Sequence, residues 1–202
     1  SSAHHPSLHL SLRRLRTMLI RAWEGVEFAG RDVVILGCGG VARAVAVMLL
    51  DQGAAGIHIL NRTADRARRV AEEINGMAGG GFARAYALED YGRIPGENWL
   101  VIQATSVGMH PCVEQAPIED EAFYRRVETG YDLIFNPGTT RFMELTKRYG
   151  GRAYNGVRML VYQGIIAFEL WTHTSVSQDT ADELYRMTAQ ALAGQRDEGE
   201  NQ

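Results

Sequence analysis

Cysteine and long apolar runs are scarce in this chain of 202 residues, and each scarcity excludes a class of protein. Two cysteines, Cys38 and Cys112, are too few for a disulfide framework, which indicates a reducing compartment and a cytoplasmic location. No apolar run reaches the roughly 18 residues that cross a membrane. The net charge of −3 argues against a nucleic acid or a membrane surface as partner.

Lysine is the scarcest charged residue, because Lys147 is the only lysine among 21 basic residues. Chemistry that needs a lysine therefore has a single candidate in this sequence. We interpret Lys147 as a solvated residue on a helix that flanks a sheet, since lysine is seldom buried. We predict no metal site.

The rest of the composition is typical of a globular domain, with 46% hydrophobic and 22% charged residues. The length is sufficient for one substantial core. Residues 1–7 are interpreted as a tag-like or disordered lead-in, residues 8–193 as one dinucleotide-binding domain, and residues 194–202 as a disordered tail.

A strand, a glycine turn and a helix follow one another from Val33 onward. This GxGGxA pattern lets backbone N–H groups approach a pyrophosphate, towards which the helix points its positive end. The predicted contacts are Gly37, Cys38, Gly39, Gly40, Val41 and Ala42. The alternative is a tight strand–helix turn without a ligand. Cys38 is interpreted as a small filler of the turn rather than a nucleophile.

The residues that would contact the adenosine ribose come about twenty positions later. A second strand, Ile57 to Leu60, ends there at Asn61-Arg62-Thr63, with Arg66 one helical turn on. NAD enzymes carry an acid at this point, which would repel a 2′-phosphate, whereas Arg62 can bind one through its planar donor fork. The sequence therefore predicts NADP(H). The alternative is that Thr63 only caps a helix and Arg62 is a solvated surface residue.

Strands and helices alternate along the rest of the chain, which is typical of a parallel sheet with crossover helices. We predict a Rossmann-type, doubly wound α/β fold with six parallel strands in the order 3-2-1-4-5-6 and helices on both faces. The later strands are predicted at 82–86, 99–104, 131–135 and 152–154. Helices are predicted before the first strand and at 41–52, 64–74, 119–127, 140–149, 156–171 and 180–193.

Four segments resemble shikimate dehydrogenase in their order and spacing. They are Gly37–Ala42, Asn61–Arg66, Thr105–Met109 and Asn155–Gly164. The resemblance implies reversible, NADPH-dependent reduction of 3-dehydroshikimate to shikimate. It implies further cofactor contacts at Thr105, Ser106, Val107, Met109, Leu133, Gly156 and Met159. It also implies that Gln163 and Phe135 contact the substrate.

The chain departs from the family pattern at several positions. Phe135 stands where the family usually has Tyr, Gln103 where it often has Asn, Asn155 where it often has Asp, and Arg158 where it often has Gly. A larger departure concerns the lysine–aspartate pair, which the family carries in a substrate domain ahead of this module. The sequence shows no such pair, so the resemblance implies no catalytic residue here and an inactive chain when it is alone.

Three interpretations stay open. The first is the NADP(H)-binding domain of a shikimate dehydrogenase-like oxidoreductase, which needs a substrate domain to act on shikimate. The second is a free-standing NADP(H)-binding module without catalysis, and the third is a different NADP-dependent reductase completed by a partner chain. The opening helix bears on this choice. Without a neighbouring domain its apolar face would be exposed and would have to pair with another chain or with the closing helix, and a homodimer through these helices would favour the free-standing module. The residues of this face are Leu8, Leu12, Leu15, Leu19 and Trp23.

Overall fold

The computed structural model describes residues 17–23 and 25–199. Residues 17–22 form helix α1. The strands are β1 (Asp32–Leu36), β2 (Gly56–Asn61), β3 (Ala83–Ala87), β4 (Trp99–Gln103), β5 (Val127–Asp132) and β6 (Arg152–Tyr154). The further helices are α2 (Gly40–Asp51), α3 (Ala64–Ala78), α4 (Glu121–Tyr124), α5 (Arg141–Arg148), α6 (Val157–Thr172) and α7 (Gln178–Gly199), with a 3-10 helix at Leu88–Arg93.

The six strands form one parallel sheet of order β3-β2-β1-β4-β5-β6, which confirms the predicted fold. The two central strands, β1 and β4, are almost continuous apolar runs, as expected for strands covered on both faces. The strand order reverses between them, and ligands bind such sheets at the carboxyl ends of the strands beside this switch point.

Helices cover both faces of the sheet and enclose two hydrophobic cores. The core under α1, α2, α3, α6 and α7 contains Ile35, Met48 and Tyr162. The core under α4, α5 and the 3-10 helix contains Leu36 and Phe142. Successive residues of β1 enter opposite cores, which is the alternation of a strand. Among the described residues, no helix has both the length and the apolar character needed to span a membrane.

Strand β5 lies earlier in the chain than predicted. The prediction of a strand at 131–135 begins only after Gly130, whereas the observed strand is Val127–Asp132. Gly130 faces the ring of Phe142, whose atoms lie 3.0 Å from the position of an added Cβ. A glycine that resembles a turn residue in the sequence therefore lets α5 pack closely on the strand.

The chain leaves the sheet at Asp132, because its carboxylate accepts the N–H of Ile134 at 2.9 Å and turns the backbone. As a consequence, Leu133 and Phe135 belong to the loop after β5 and not to the strand itself. This shift moves both predicted contact residues to the carboxyl edge of the sheet.

Two helices are longer than predicted. Helix α3 continues past residue 74 to Ala78, and Gly79 ends it in the left-handed conformation at φ +82°. Helix α7 continues to Gly199, so the prediction of a disordered tail from residue 194 is wrong as far as Gly199. Residues 195–198 are Gln, Arg, Asp and Glu, a run without proline or β-branched residues in which three of the four types favour a helix.

The described part of the opening helix is covered by other residues of this chain, which is the alternative that needs no second chain. Leu19 is buried, and so is Trp23. The Trp23 ring lies 5.7 Å from Phe28 and 5.6 Å from Tyr131 between ring centroids. The predicted lead-in 1–7 and Leu8, Leu12 and Leu15 lie outside the described residues.

Candidate dinucleotide-binding site

The predicted contact residues follow the carboxyl ends of the parallel strands, which all lie at one edge of the sheet. The turn Gly37–Gly39 follows β1, Arg62 and Thr63 follow β2, Thr105–Met109 follows β4, Leu133 and Phe135 follow β5, and Gly156 follows β6. The topology thus brings residues far apart in sequence to the edge at which such sheets bind ligands.

The turn after β1 contains one glycine that the fold requires and two that leave open space. Gly37 has φ +107°, and a Cβ there would lie 3.0 Å from the carbonyl oxygen of Ala104. Gly39 is the N-cap of α2 with an ordinary φ of −75°. No heavy atom lies within 4 Å of a Cβ placed at Gly39 or Gly40. The space before the first turn of α2 is therefore open to an anion.

A cavity of about 450 Å³ lies beside this turn. Several predicted residues line it, namely Gly37, Cys38, Gly39, Asn61, Arg66, Thr105 and Ser106. They come from the loops after β1, β2 and β4 and from α3, so the structure joins the glycine turn and the arginine segment into one site.

Two arginines of this cavity, Arg43 and Arg69, are absent from the sequence prediction. Arg43 lies in the first turns of α2, where its Nε is 3.0 Å from Glu73 without the direction needed for a hydrogen bond. Arg69 lies one turn after Arg66 on α3, and neither forms a salt bridge among residues 17–23 and 25–199, although Arg68 and, to a lesser extent, Arg69 lower the pKa of Asp65. The sequence spacing could have predicted both residues, because positions three or four apart on a helix are neighbours. Arg69 is three residues after Arg66, and Arg43 is four residues after Gly39.

Arg62 is exposed and is not among the residues that line this cavity. It follows Asn61, whose side-chain amide donates to the Thr63 carbonyl at 3.0 Å and fixes the turn into α3. Thr63 occupies the N-cap position of α3, but its hydroxyl does not accept a capping hydrogen bond. The roles predicted for Arg62 and Thr63 stay predictions.

Cys38 lines the cavity as a free thiol. Burial raises the pKa of this thiol, and the nearby Arg66 and Arg43 oppose the shift without reversing it. The thiol is therefore protonated at neutral pH, which favours a packing role over a nucleophilic one.

A larger cavity of about 640 Å³ lies at the β5–β6 end of the sheet, and Leu133, Gly156 and Met159 line part of it. Gly156 is required here, because a Cβ would lie 2.3 Å from the Leu133 carbonyl oxygen. Its N–H donates to the Ile134 carbonyl at 2.8 Å. Gly156 is thus required by the close contact between the loop after β5 and the loop after β6, whereas the family resemblance implies a contact with the cofactor.

A buried carboxylate lies beneath these loops. Burial raises the pKa of Asp132 to about 6, although hydrogen bonds from the Thr140 hydroxyl and the Ile134 N–H act in the opposite direction. Asp132 also lines the larger cavity. Sequence reasoning missed this residue, because a single acid in a predicted strand gives no sign of the groups that it will meet.

The predicted substrate residues are open to solvent. Phe135 is 37% exposed, and Gln163 is exposed one turn after Met159 on α6. Lys147 is exposed near the end of α5, which begins at the carboxyl edge and runs back towards the start of β6. Lys147 is open to solvent, as interpreted, but it also lines the larger cavity at the β5–β6 end of the sheet.

Two sequence profiles match this chain. The profile described as shikimate/quinate 5-dehydrogenase matches residues 21–135, and the profile of the shikimate 5′-dehydrogenase C-terminal domain matches residues 156–181. The first covers more than half of the 202 residues. The chain belongs to the shikimate/quinate dehydrogenase family.

Individual relatives agree with this assignment. The shikimate dehydrogenase (NADP(+)) of Carboxydothermus hydrogenoformans is 39% identical over 150 residues, which cover 74% of this chain and 52% of that protein. The crystal structure of the Thermus thermophilus shikimate 5-dehydrogenase, in complex with NADP(H) and shikimate, matches with a TM-score of 0.68 and 30% identity, covering 87% of this chain and 62% of that one.

A reductase of another name is also similar. The 5-ketofructose reductase of Gluconobacter sp. strain CHM43, in its ligand-free form, matches with a TM-score of 0.66 and 30% identity, covering 90% of this chain and 62% of that one. This shikimate dehydrogenase family member spans about half the length of the curated relatives it matches.

One departure from the family pattern, Arg158 in place of glycine, forms contacts between two helices of this chain. Arg158, in the first turn of α6, donates to Asp182 of α7 at 2.6 Å, and its guanidinium lies 5.3 Å from the centroid of the Tyr185 ring. A glycine at this position would make neither contact. Arg158 therefore ties α7 to the helix that carries Met159.

The residues of the smaller cavity fit a ligand that carries phosphate groups. The glycine turn leaves space where a pyrophosphate can meet the N–H groups of α2, and Arg66 and Arg69 bring two positive charges to the same cavity. Within the same part, no group of three or more histidine, cysteine, aspartate or glutamate residues is placed to hold a metal ion.

Proposed function

We propose that this chain is the NADP(H)-binding part of an NADP-dependent shikimate dehydrogenase, which interconverts 3-dehydroshikimate and shikimate. The observation that carries the proposal is the joining of an open glycine turn and a cluster of arginines at the carboxyl edge of the sheet, in a chain of this family. Two unpaired cysteines and a net charge of −3 support a cytoplasmic location without a nucleic-acid or membrane partner.

The smaller cavity would hold the adenosine half of the cofactor. The pyrophosphate would lie at Gly39 and Gly40, where the N-terminal dipole of α2 favours an anion. The 2′-phosphate would be bound by Arg66 and Arg69, with Arg62 at its outer side. NADH offers these arginines no phosphate, so the site should prefer NADPH.

The larger cavity would hold the nicotinamide half against Leu133, Gly156 and Met159. When bound, NADPH supplies the hydride for carbonyl reduction. The exposed Gln163 lies on the same helix as Met159 and would hydrogen-bond the substrate, and the exposed Phe135 would contact it from the loop after β5. Both side chains are available to a substrate that another part of the protein holds in place.

These residues alone are proposed not to turn over the substrate. Reduction of a ketone also needs a proton donor at the carbonyl oxygen, and a positioned acid–base group contributes about 10²–10⁴-fold to the rate. The only lysine, Lys147, is exposed near the end of α5 and lines the larger cavity, but the family pattern carries its lysine–aspartate pair in a separate substrate domain. Gln163 cannot act as an acid, so the acid–base residues would come from outside these 202 residues.

The surface formed by Leu160, Phe168, Trp171 and Leu184, here called the α6–α7 surface, supports the presence of a further domain. Leu160, Phe168 and Leu184 line an apolar cavity of about 570 Å³. Trp171, on the same face of α6, is 83% exposed. An apolar patch of this kind is unusual on a monomer. Because the chain spans about half of its relatives, we propose that a substrate domain covers this surface.

The same surface supports a second candidate, a free-standing NADP(H)-binding module that forms a homodimer. Light scattering on the 22.4-kDa chain separates the two candidates. A stable dimer that Trp171→Glu dissociates, while Met77→Glu on α3 does not, favours the module. A monomer that remains monomeric at high concentration favours the covered surface of a larger enzyme. A different NADP-dependent reductase, completed by a partner chain, would fit the monomer but reduce another ketone.

Two measurements on the chain as given test the main proposal. Titration calorimetry should show tighter binding of NADPH than of NADH. An assay of NADPH formation from NADP and shikimate, between about pH 7 and 10, should show no turnover within about a hundredfold of an intact shikimate dehydrogenase. Equal affinity for the two cofactors would refute the assignment of the arginine site, and faster turnover would show that the chain carries its own acid–base residue.

A further inference from the structure

Strands β4 and β5 end side by side in two polar residues that are completely enclosed. Gln103 and Asp132 are register partners in the sheet and are 0% and 1% exposed. Burying a carboxylate and a carboxamide costs free energy unless their hydrogen bonds are satisfied. An apolar pair would fill the same space at lower cost, so the hydrogen bonds of this pair need an explanation.

The Gln103 side chain holds the loop after β4. Its Oε1 accepts the N–H of Thr105 at 2.6 Å, and its Nε2 donates to the carbonyl of Val107 at 3.0 Å. The same Nε2 lies 3.5 Å from Asp132 Oδ1, the longest contact of the group. One side chain therefore fixes two backbone groups of a loop that the proposed function places against the cofactor.

Asp132 holds the loop after β5 in the same way. Its Oδ1 accepts the N–H of Ile134 at 2.9 Å, and its Oδ2 accepts the hydroxyl of Thr140 at 2.5 Å. The carbonyl of Ile134 in turn accepts the N–H of Gly156 at 2.8 Å, which connects the loop to the start of α6. The bonds of Gln103 and Asp132 thus hold two neighbouring loops, of which the first lines the smaller cavity at Thr105 and the second lines the larger cavity at Leu133.

We propose that Gln103 and Asp132 form a positioning pair that sets the Thr105–Val107 loop, at the smaller cavity, relative to the Leu133–Ile134 loop, at the larger cavity, so that one NADP(H) molecule can span both. The inference rests on the proposed function, because it presumes that the two cavities hold the two halves of the cofactor. A ligand confined to the smaller cavity does not depend on the relative position of the two loops, and neither Gln103 nor Asp132 lines that cavity, so such a ligand should bind independently of the pair.

Three variants and two ligands test the pair. Gln103→Leu and Asp132→Leu remove all side-chain hydrogen bonds, while Asp132→Asn keeps the acceptor for Ile134. The ligands are NADPH and 2′,5′-ADP, which carries only the adenosine, its 2′-phosphate and one 5′-phosphate. The control is His58→Leu, which removes an equally buried polar side chain from β2, outside both cavities.

We expect each leucine variant to bind NADPH at least tenfold more weakly and 2′,5′-ADP within twofold of the unmodified chain, with Asp132→Asn in between for NADPH. The fluorescence that the reduced nicotinamide ring gains on binding should fall in the same order. His58→Leu should change neither affinity. Circular dichroism confirms that the proteins compared are folded. If a leucine variant is not folded, the NADPH affinity of Asp132→Asn tests the inference instead.

Other outcomes overturn the inference. Unchanged NADPH affinity in folded variants would mean that the loops need no such pair. An equal loss for NADPH and 2′,5′-ADP, or the failure of all three variants to fold, would show a general structural role. If the unmodified chain binds neither ligand, the proposed function fails instead, which keeps the two failures distinct.

Discussion

The two ends of the proposed site are built in different ways. The end at β1 and β2 uses mainly residues close in sequence, Gly37 to Arg69, with Thr105 and Ser106 beside them, and it exposes its arginines in an open cavity. The end at β4, β5 and β6 gathers three distant loops and holds them by buried hydrogen bonds and a glycine contact. Charge can therefore be removed from the first end without touching a core, whereas the second end depends on packing for its shape.

The largest expected effect tests whether the second end depends on packing. Gly156→Ala places a Cβ 2.3 Å from the Leu133 carbonyl oxygen. Two loops must then separate, and overpacking of this kind costs about 3 kcal/mol of unfolding free energy. Thermal or urea unfolding measures the loss. Gly164→Ala on the same helix is the control, since nothing lies within 4 Å of its Cβ and alanine favours a helix. Equal stability of the two variants would show that the second end does not depend on the close packing at Gly156.

The next effect tests whether the first end acts through exposed charge. Arg66→Ala should weaken NADPH binding by about 1.5–3 kcal/mol, roughly ten- to a hundredfold, and leave stability almost unchanged. NADH affinity should not change, because NADH has no 2′-phosphate. Arg68→Ala is the control on the same helix, since Arg68 pairs with Asp65 instead of lining the cavity. A parallel loss of affinity for both cofactors would contradict this assignment.

A smaller effect compares two buried titratable groups, of which Asp132 lies at the second end and His58 lies on β2 outside both cavities. Burial lowers the pKa of His58 on β2, whereas burial raises the pKa of Asp132 to about 6. Below about pH 6.5 the unfolded chain binds protons that the folded His58 resists, so this group destabilises the fold as pH falls. For Asp132 the folded state binds more protons than the unfolded state between pH 3.8, its ordinary pKa, and about pH 6. The free energy of unfolding therefore decreases as pH rises through this range.

These opposite slopes are separable by mutation. Relative to the unmodified chain, Asp132→Asn should gain about 1 kcal/mol of unfolding free energy between pH 5 and 7, as its buried charge is removed. His58→Leu should instead gain as pH falls below about 6.5. Urea unfolding at several pH values measures both. Two parallel curves would show that neither group titrates differently in the folded state.

The smallest effect concerns the link between α6 and α7. Arg158→Ala removes a partly exposed ion pair with Asp182, which is worth less than about 1 kcal/mol. Hydrogen exchange in the first turns of α7 should become faster, with little change in the melting temperature. Arg125→Ala, which removes the exposed pair with Glu121, should leave exchange in α7 unchanged. No difference between the variants would mean that Arg158 does not hold α7.

The sequence predicted the first end of the site better than the second, for a physical reason. The glycine turn and the arginine segment are short motifs whose residues act where they stand in the chain. Arg43 and Arg69 were not predicted, because they reach the smaller cavity only through the helical turn that places residues three or four positions apart on one side. The order of the sheet followed from the alternation of strands and helices and was predicted correctly.

The second end depends on pairing that exists only after folding. Gln103 and Asp132 lie 29 residues apart and meet through the register of β4 and β5. The prediction began β5 after Gly130, because threonine and glycine in succession resemble a turn until Phe142 is packed against them. The same error concealed the role of Asp132. In a strand predicted to continue to residue 135 this acid is an interior residue, whereas in the structure it is the last residue of β5.

Lys147 has a practical consequence for anyone who handles this protein. Arginine carries the other twenty basic charges, and amine-directed reagents do not modify it. A dye, spin label or surface linker aimed at lysine side chains therefore meets one target, exposed near the end of α5. Because Lys147 lines the larger cavity, a dye attached there would lie beside any ligand held in that cavity, whereas a surface linker would restrict access to it.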